Sequence, residues 1–322
     1  MSSNIYKVAI VGAGRIGCGF DTPESSHVLT HAHAICNDPR LELAAIVDSD
    51  AGKKSEAEKW GTQFFTDIET MWTAVKPDIV VIATPDATHA ALLEQIAGRS
   101  PRLIICEKPV ATNESEAAEL RKGNAGHVPI IVNFSRRFDT TVQEIGSDIA
   151  AGKFGKVLSA SGTYTKGIFH NGSHMLDLAR YLFGEMTSTH AYASVPDFPE
   201  GESTIGAMLS FERCPQFHLV AADARAYAIF ELDILTEKAR IRFVDEGSRL
   251  ITQDVIDDPL YAGFRILGEE RIQETGLSHA LAQLMTRAVA VLDGAAKPQP
   301  SLDDALKTHA ACAAIVETLK SA

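Results

Sequence analysis

Basic residues are in short supply. Thirty Lys and Arg stand against 42 Asp and Glu in 322 residues, a formal net charge of -12 with a pI near 5.4. A chain of that balance has no phosphate-tracking surface with which to follow nucleic acid. Apolar runs are short as well. None approaches the roughly 18 residues that a membrane-spanning helix needs, and the opening Met1-Ser2-Ser3-Asn4-Ile5-Tyr6-Lys7-Val8 carries no basic leader followed by an apolar stretch. The expectation is a cytoplasmic protein with neither nucleic-acid nor membrane partners. The five cysteines, Cys18, Cys36, Cys106, Cys214 and Cys312, are odd in number and scattered, with no C-x-x-C pair. That excludes a disulfide framework and a zinc knuckle and suits a reducing compartment. Repeats and low-complexity tracts are absent too, and Lys297-Pro298-Gln299-Pro300 is the one linker-like piece.

What is present is a chain with 45% apolar residues, long enough for two domains. The first third alternates short β-rich runs with helical stretches, the pattern of a parallel sheet built from βαβ units. Val8-Ala9-Ile10-Val11, Leu43-Ala44-Ala45-Ile46-Val47, Asp78-Ile79-Val80-Val81-Ile82 and Leu103-Ile104-Ile105-Cys106 are apolar nearly throughout, as strands covered on both faces should be. Helices are predicted over 51–60, 87–97 and 114–122, the last capped by Asn113. The texture changes after Phe134. A helix over 140–151, a strand over 156–165 and an apolar-faced helix over 173–183 ending at Gly184 precede a run of strand candidates between Met186 and Leu250, which imply an antiparallel sheet. Two helices, over 278–292 and 301–319, close the chain. The predicted fold class is therefore α/β, a doubly wound Rossmann sheet followed by an α/β domain with an open, mostly antiparallel sheet. The predicted boundary puts residues 1–134 in the dinucleotide-binding domain and 135–322 in the substrate and oligomerisation domain, with the last helix able to return to the first.

Gly12-Ala13-Gly14-Arg15-Ile16-Gly17 follows the first strand directly, so a helix beginning inside the turn would aim backbone N–H groups at a pyrophosphate. Asp48 ends the second strand, where a carboxylate accepts hydrogen bonds from a ribose and repels a 2′-phosphate, so NAD is favoured over NADP; a helix-capping role is the alternative. Lys53 and Lys54 could meet a 2′-phosphate or lie on a solvated helix face. The interval from Gly17 to Asp48 is longer than the usual spacing of about 20, and Phe20-Asp21-Thr22-Pro23-Glu24-Ser25-Ser26-His27 reads as the insertion, with turn formers at Pro23, Ser25 and Ser26. His27, His31 and His33 lie in or after it, without the converging acidic or cysteine ligands of a metal site.

Further motifs appear in order. Ala83-Thr84-Pro85-Asp86 with His89 follows one strand, Glu107-Lys108-Pro109-Val110-Ala111 follows the next, and Gly172-Ser173-His174-Met175-Leu176-Asp177 opens the later helix. With the glycine turn, Asn133-Phe134-Ser135-Arg136-Arg137-Phe138-Asp139 and Pro300-Ser301-Leu302-Asp303-Asp304-Ala305-Leu306, this ordered set resembles the glucose-fructose oxidoreductase / inositol dehydrogenase (Gfo/Idh/MocA) family over nearly the whole chain. The resemblance implies oxidation or reduction of a secondary alcohol on a sugar, polyol or sugar derivative with NAD(P), and homodimers or homotetramers through the C-terminal sheet.

Hydride transfer from a carbinol requires removal of the hydroxyl proton and stabilisation of the charge left on oxygen, which a base beside a fixed cation supplies. Lys108 matches the family lysine that contacts the reacting hydroxyl and the nicotinamide ribose, and His174 the general acid/base. Glu107 would orient the lysine or the backbone turn, with Pro109 aiming it; a surface Lys–Glu pair is the plainer alternative. Many relatives carry an acid four positions before the histidine, where this chain has His170. His170 and Asn171 read equally as substrate or relay groups and as turn residues. Asp177 reads as an orienting group for His174 or as a packed helix residue. Gly12, Gly14, Arg15, Ile16, Gly17, Asp48, Thr84, Pro85, His89, Glu107 and Lys108 are the expected cofactor residues, His89 leaning to structure. Arg136 and Arg137 would bind an anionic substrate group or pair with Asp139 and other acids. Two other readings share the motifs: a silent dinucleotide-binding sensor, against which the presence of Lys108 and His174 argues, and NAD-dependent glycoside hydrolysis through transient oxidation.

Overall fold

The computed structural model describes residues 5–123, 125–198 and 202–320, so residues 1–4 of the opening segment lie outside the described residues. By its contacts the chain divides into two units, Met1–Phe138 with Ser278–Leu306, and Asp139–Leu277 with Lys307–Ala322. This differs from a single boundary at 134/135. Residues 278–306 belong with the first unit because their helix packs on it, something no local pattern announces.

The first unit carries β1 (Tyr6–Val11), α1 (His31–Cys36), β2 (Leu41–Val47), α2 (Lys54–Lys59), β3 (Gln63–Phe65), α3 (Ile68–Val75), β4 (Ile79–Ile82), α4 (His89–Ala97), β5 (Leu103–Cys106), α5 (Glu114–Lys122) and β6 (Ile130–Val132). The six strands run parallel in the order β3-β2-β1-β4-β5-β6, the doubly wound arrangement whose switch point lies between β1 and β4. β4 and β5 are buried at every position, as the apolar runs require. Asn113 caps α5, its side chain accepting from the Glu116 N–H at 3.0 Å. The sequence reading passed over α1, β3 and α3, short elements whose apolar residues lack a clear period. Later in the chain, α8 (Ala280–Leu292) belongs to this unit; Asp293, just past its end, accepts from the Tyr6 hydroxyl at 2.5 Å.

The second unit contains α6 (Thr140–Ala150), β7 (Val157–Tyr164), α7 (Gly172–Phe183), β8 (Met186–Val195), β9 (Thr204–Phe211), β10 (Cys214–Ala221), β11 (Phe230–Thr236), β12 (Ala239–Val244), β13 (Arg249–Asp257), β14 (Arg265–Leu267) and β15 (Arg271–Glu274). Its nine-stranded sheet runs β14-β13-β12-β11-β7-β10-β9-β8, with β15 on β13. β10 pairs parallel with β7 and the other pairs are antiparallel. One face packs α6 and α7 over Phe183, Phe211 and Phe217. The other carries Leu158, Tyr192, Met208 and Leu235, each at least 41% exposed. The last helix, α9 (Leu302–Lys320), places Leu302, Ala305 and Leu306 in the first core and Ala311, Cys312 and Ile315 in the second.

Asp139 begins the second unit as the cap of α6, accepting from Thr141 N–H at 2.8 Å, and the same oxygen accepts from Gly276 N–H at 2.9 Å. Removing a buried acceptor strands its donors. Asp139→Ala is therefore expected to cost about 1–3 kcal/mol, read as a lower midpoint in urea unfolding followed by circular dichroism.

Candidate active site

The glycine turn is set by how closely two strand ends approach. Gly12 has φ +106°, and a Cβ there would lie 2.5 Å from the Ala83 carbonyl oxygen and 2.8 Å from Thr84 N. Glycine is the residue that tolerates both the positive φ and the contact. A Cβ on Gly17 would meet the Gly12 carbonyl oxygen at 2.3 Å, whereas one on Gly14 would have only the Ala83 oxygen near it, at 3.9 Å. Gly12 and Gly17 thus answer to the protein's own backbone, and the bare side of Gly14 opens into a cavity. The helix expected inside the turn is instead a five-residue π-helical turn, Arg15–Gly19, and α1 follows only after residues 20–30. A dipole argument for pyrophosphate binding does not transfer to so short a turn.

That cavity, about 1090 Å³, is lined by Gly12, Gly14, Arg15, Ile16, Asp48 and Pro85, among others. It is large for a small-molecule site, whose range is about 300–1,000 Å³. Asp48 is held by two backbone donors, Ala13 N–H at 2.8 Å and Asp50 N–H at 2.9 Å. Asp67 and Glu69 add acid to the lining. Lys54 pairs with Glu58 at 3.5 Å on the face of α2. A dinucleotide without a 2′-phosphate fits this donor set: apolar walls at Ile68 and Leu92, a carboxylate at the end of β2, and a glycine whose missing side chain leaves room for a phosphate.

The remaining first-unit residues are placed as follows. Thr84 and Pro85 line the cavity; the Thr84 hydroxyl pairs with that of Thr88 at 2.7 Å. His89, expected as a cofactor residue, is fully buried and absent from the cavity lining. Its ring nitrogens lie 2.7 Å from the Pro109 carbonyl oxygen and 2.8 Å from that of Thr84, so the imidazole ties the turn after β4 to the turn after β5. Lys108, half-buried, sits at the end of β5 before a cis peptide to Pro109. Arg137 pairs with Asp304 at 3.7 Å, one of the other acids expected for it.

Two histidines that the sequence reading left without a role prove central to the turns. Glu107 Oε1 lies 2.8 Å from His31 Nε2 and accepts from Asn133 Nδ2 at 2.7 Å. Burial pushes the Glu107 carboxyl up, and the hydrogen bond and charge of His31, the Asn133 amide and the Lys108 ammonium together outweigh it, leaving the group below its ordinary value. The inserted segment is closed by Asp21, which accepts from Leu29 N–H at 2.6 Å and the Thr30 hydroxyl at 2.5 Å and lies 2.9 Å from His33 Nδ1. Histidines two apart on a short helix gave no periodic signal; a carboxylate twelve residues upstream of His33 was the available clue.

In the second unit, His170 lies in a π-helical turn, Gly167–Asn171, that leads into α7, with Asn171 at the helix cap position and half-buried His174 in the first helical turn. Two acids missed in the sequence fasten this turn. Glu202 Oε1 accepts from Phe169 N–H at 2.5 Å and His170 N–H at 2.9 Å. Asp197 accepts from Lys166 N–H at 2.9 Å, Ala224 N–H at 3.0 Å and the Thr204 hydroxyl at 2.7 Å. The His170 ring stacks on Phe198 with centroids 4.6 Å apart. Asp177 is buried.

Residues 6–127 match the family model described as an oxidoreductase family with an NAD-binding Rossmann fold (GFO_IDH_MocA). The chain is 32% identical over 195 residues to inositol 2-dehydrogenase of Rhizobium meliloti, covering 56% of this chain and 55% of that protein. It is 30% identical over 209 residues to D-glucoside 3-dehydrogenase of Escherichia coli, covering 57% and 56%. The matches thus span about half the length of these curated relatives. Levoglucosan dehydrogenase, solved in complex with NADH, superposes with a TM-score of 0.79 at 20% identity over 99% of this chain and 98% of that one, a likeness of fold. Among the described residues, no helix is long and apolar enough to cross a membrane.

Asp21 yields a pH-dependent prediction. Burial raises its carboxyl pKa, but hydrogen bonds from Thr30, Leu29 and His33 and the charge of His33 bring it below the ordinary value. Its contribution is then complete above the unfolded pKa near ~3.9 and is lost as pH falls through the folded value. Asp21→Asn should lower stability at pH 7 by about 1–3 kcal/mol, and the gap from the parent should close on acidification below about pH 4. Chemical unfolding at a series of pH values measures both.

Proposed function

We propose, from the match of residues 6–127 to the Gfo/Idh/MocA oxidoreductase family model, that the protein is an NAD-dependent dehydrogenase that moves a hydride between nicotinamide and a secondary alcohol of a sugar, polyol or sugar derivative. The observation that carries this reading is the cavity over Gly14 at the switch point, with the Asp48 carboxylate fixed by Ala13 and Asp50 N–H groups in its lining. Arg15 is the cation of that lining and Asp48, Asp67 and Glu69 its acids, a field that favours a ribose hydroxyl over a 2′-phosphate. Bound nicotinamide supplies the hydride acceptor. Gly14 gives the pyrophosphate its close approach, Gly12 and Gly17 let the turn that presents it close on its own backbone, and Ile16, Thr84 and Pro85 border the ribose and ring.

Lys108 is assigned the role of polarising the substrate hydroxyl and stabilising charge on its oxygen. His174 is assigned the proton, with Asp177 as the group that orients its ring. His170 and Asn171 are assigned to substrate hydroxyls, and Arg136 to an anionic substituent on a sugar derivative. D-glucoside 3-dehydrogenase and inositol 2-dehydrogenase act on polyhydroxylated rings by their names, which supports the substrate class here.

With NAD and a panel of inositols, aldoses and glycosides, reduced-nicotinamide absorbance should rise for at least one substrate. Lys108→Met and His174→Ala should each keep NADH binding, followed by its fluorescence, and lower turnover by roughly 10²–10⁴-fold. Gly14→Ala should fold and weaken NADH instead. Full turnover in the first two variants would end the assignment. The open face of the second sheet, with Leu158, Tyr192, Met208 and Leu235 exposed, supports a homodimer or homotetramer formed through it. Light scattering should give a multiple of the 34.7 kDa chain, and Met208→Lys should reduce it.

A further inference from the structure

We propose that His31, which follows the inserted loop, is a positioning residue that acts through Glu107 on Lys108. The inference rests on the reading of Lys108 as catalytic. Its basis is a chain of buried contacts within the first unit. The His31 side chain is wholly buried and lies 2.8 Å from Glu107. His31 Nδ1 has no hydrogen-bond partner among the described residues, so the imidazole's one polar engagement is with that carboxylate. A space that needed only filling would be filled more cheaply by an apolar side chain, since burying an imidazole beside a carboxylate costs desolvation on both sides.

The other end of the contact is one residue from the proposed catalytic ammonium. Glu107 N–H is bonded to the Ile82 carbonyl oxygen at 2.9 Å, and Asn133 N–H to that of Cys106 at 2.8 Å. The backbone on both sides of the carboxylate is therefore pinned to neighbouring strands, and the Glu107 side chain is the adjustable part. Asn133 holds the same oxygen that His31 approaches.

His31 is itself placed by the loop. It is the first residue of α1, whose cap, Thr30, accepts from His33 N–H at 3.1 Å while donating its hydroxyl to Asp21. Asp21 also lies against His33 on the next turn of the chain. The insertion thus closes on itself before it delivers His31, and the delivered imidazole inherits that rigidity. In this account the loop sets the charge and orientation of the group beside Lys108 without touching substrate or cofactor.

The coupling can be read without a substrate. Trace labelling with acetic anhydride across a pH series, with mass spectrometry of the peptide bearing Lys108, gives the midpoint at which that amine loses its proton. Glu107 is ionised at the pH where an amine loses its proton, so when His31 no longer donates, the carboxylate keeps its charge but loses a partner, and that charge acts more strongly on the ammonium one residue away. His31→Leu and His31→Asn, the second too short to reach, should raise the midpoint by about one unit, or about tenfold less free amine at a given pH below it. Glu107→Gln, which removes the charge itself, should lower it instead. His31→Gln, whose amide nitrogen can stand in for Nε2, should keep the parental midpoint. Folding of each variant is checked by NADH binding, and a folded member of either breaking pair decides the question. A parental midpoint in the folded breaking variants would overturn the role of His31 while leaving Lys108 untouched. Full turnover by Lys108→Met would instead remove the catalytic reading and leave the measured coupling standing.

Discussion

At the ends of β1 and β4 two backbones come so close that residue 12 has room for a hydrogen and no more. Everything in the first unit's candidate site follows from that approach. It forces the chain to turn at positive φ, leaves Gly14 facing open space, and sets Thr84 and Pro85 opposite the glycine turn as the second wall of the cavity. The apolar strands make the approach possible. Because β4 and β5 bury every residue, the sheet has no freedom to splay at its carboxyl edge, and the turns that leave it are held to the spacing of the strands beneath.

Turns projecting beyond a sheet have lost their ladder partners, and this protein replaces them with side-chain clamps. The His89 imidazole spans two carbonyls, Glu107 gathers His31 and Asn133, Asp21 closes the inserted segment, and Asp197 and Glu202 collect backbone N–H groups around the turn that carries His170. A carboxylate removed from water is costly unless donors surround it, and here each is surrounded by groups from segments that would otherwise be loose. The same geometry that makes these acids tolerable makes the loops of each unit stiff.

The parts legible in the sequence are those with a period or a motif. Strands β1, β2, β4 and β5, the glycine turn, the cap at Asn113 and the helix opening at Gly172 could all be read, since each depends on neighbours within a few residues. Asp48 was legible because the strand before it has an end. His31 was not: its partner Glu107 lies 76 positions away, and nothing local marks a histidine as belonging to a distant carboxylate. The same holds for α8, whose apolar face is plain but whose host unit is decided by tertiary contacts. His89 was grouped with the cofactor residues by motif while leaning to structure, and its burial between two carbonyls is in keeping with that leaning.

Position 170 shows how topology supplies what a sequence window lacks. Where many relatives have an acid, this chain has a histidine, and a linear reading finds no carboxylate nearby. Yet Glu202, 32 positions further on, returns to the same turn and bonds the N–H of His170 itself, while Phe198 offers its ring face to the imidazole. The negative charge sits on the backbone side of the turn and an aromatic surface on the side-chain side. An imidazole so bracketed is held by stacking on Phe198 while its backbone is fixed by Glu202. The turn therefore carries an imidazole at 170 with a carboxylate fastened to its backbone, two groups that lie 32 positions apart in the sequence and meet only because the chain between them returns to the same turn.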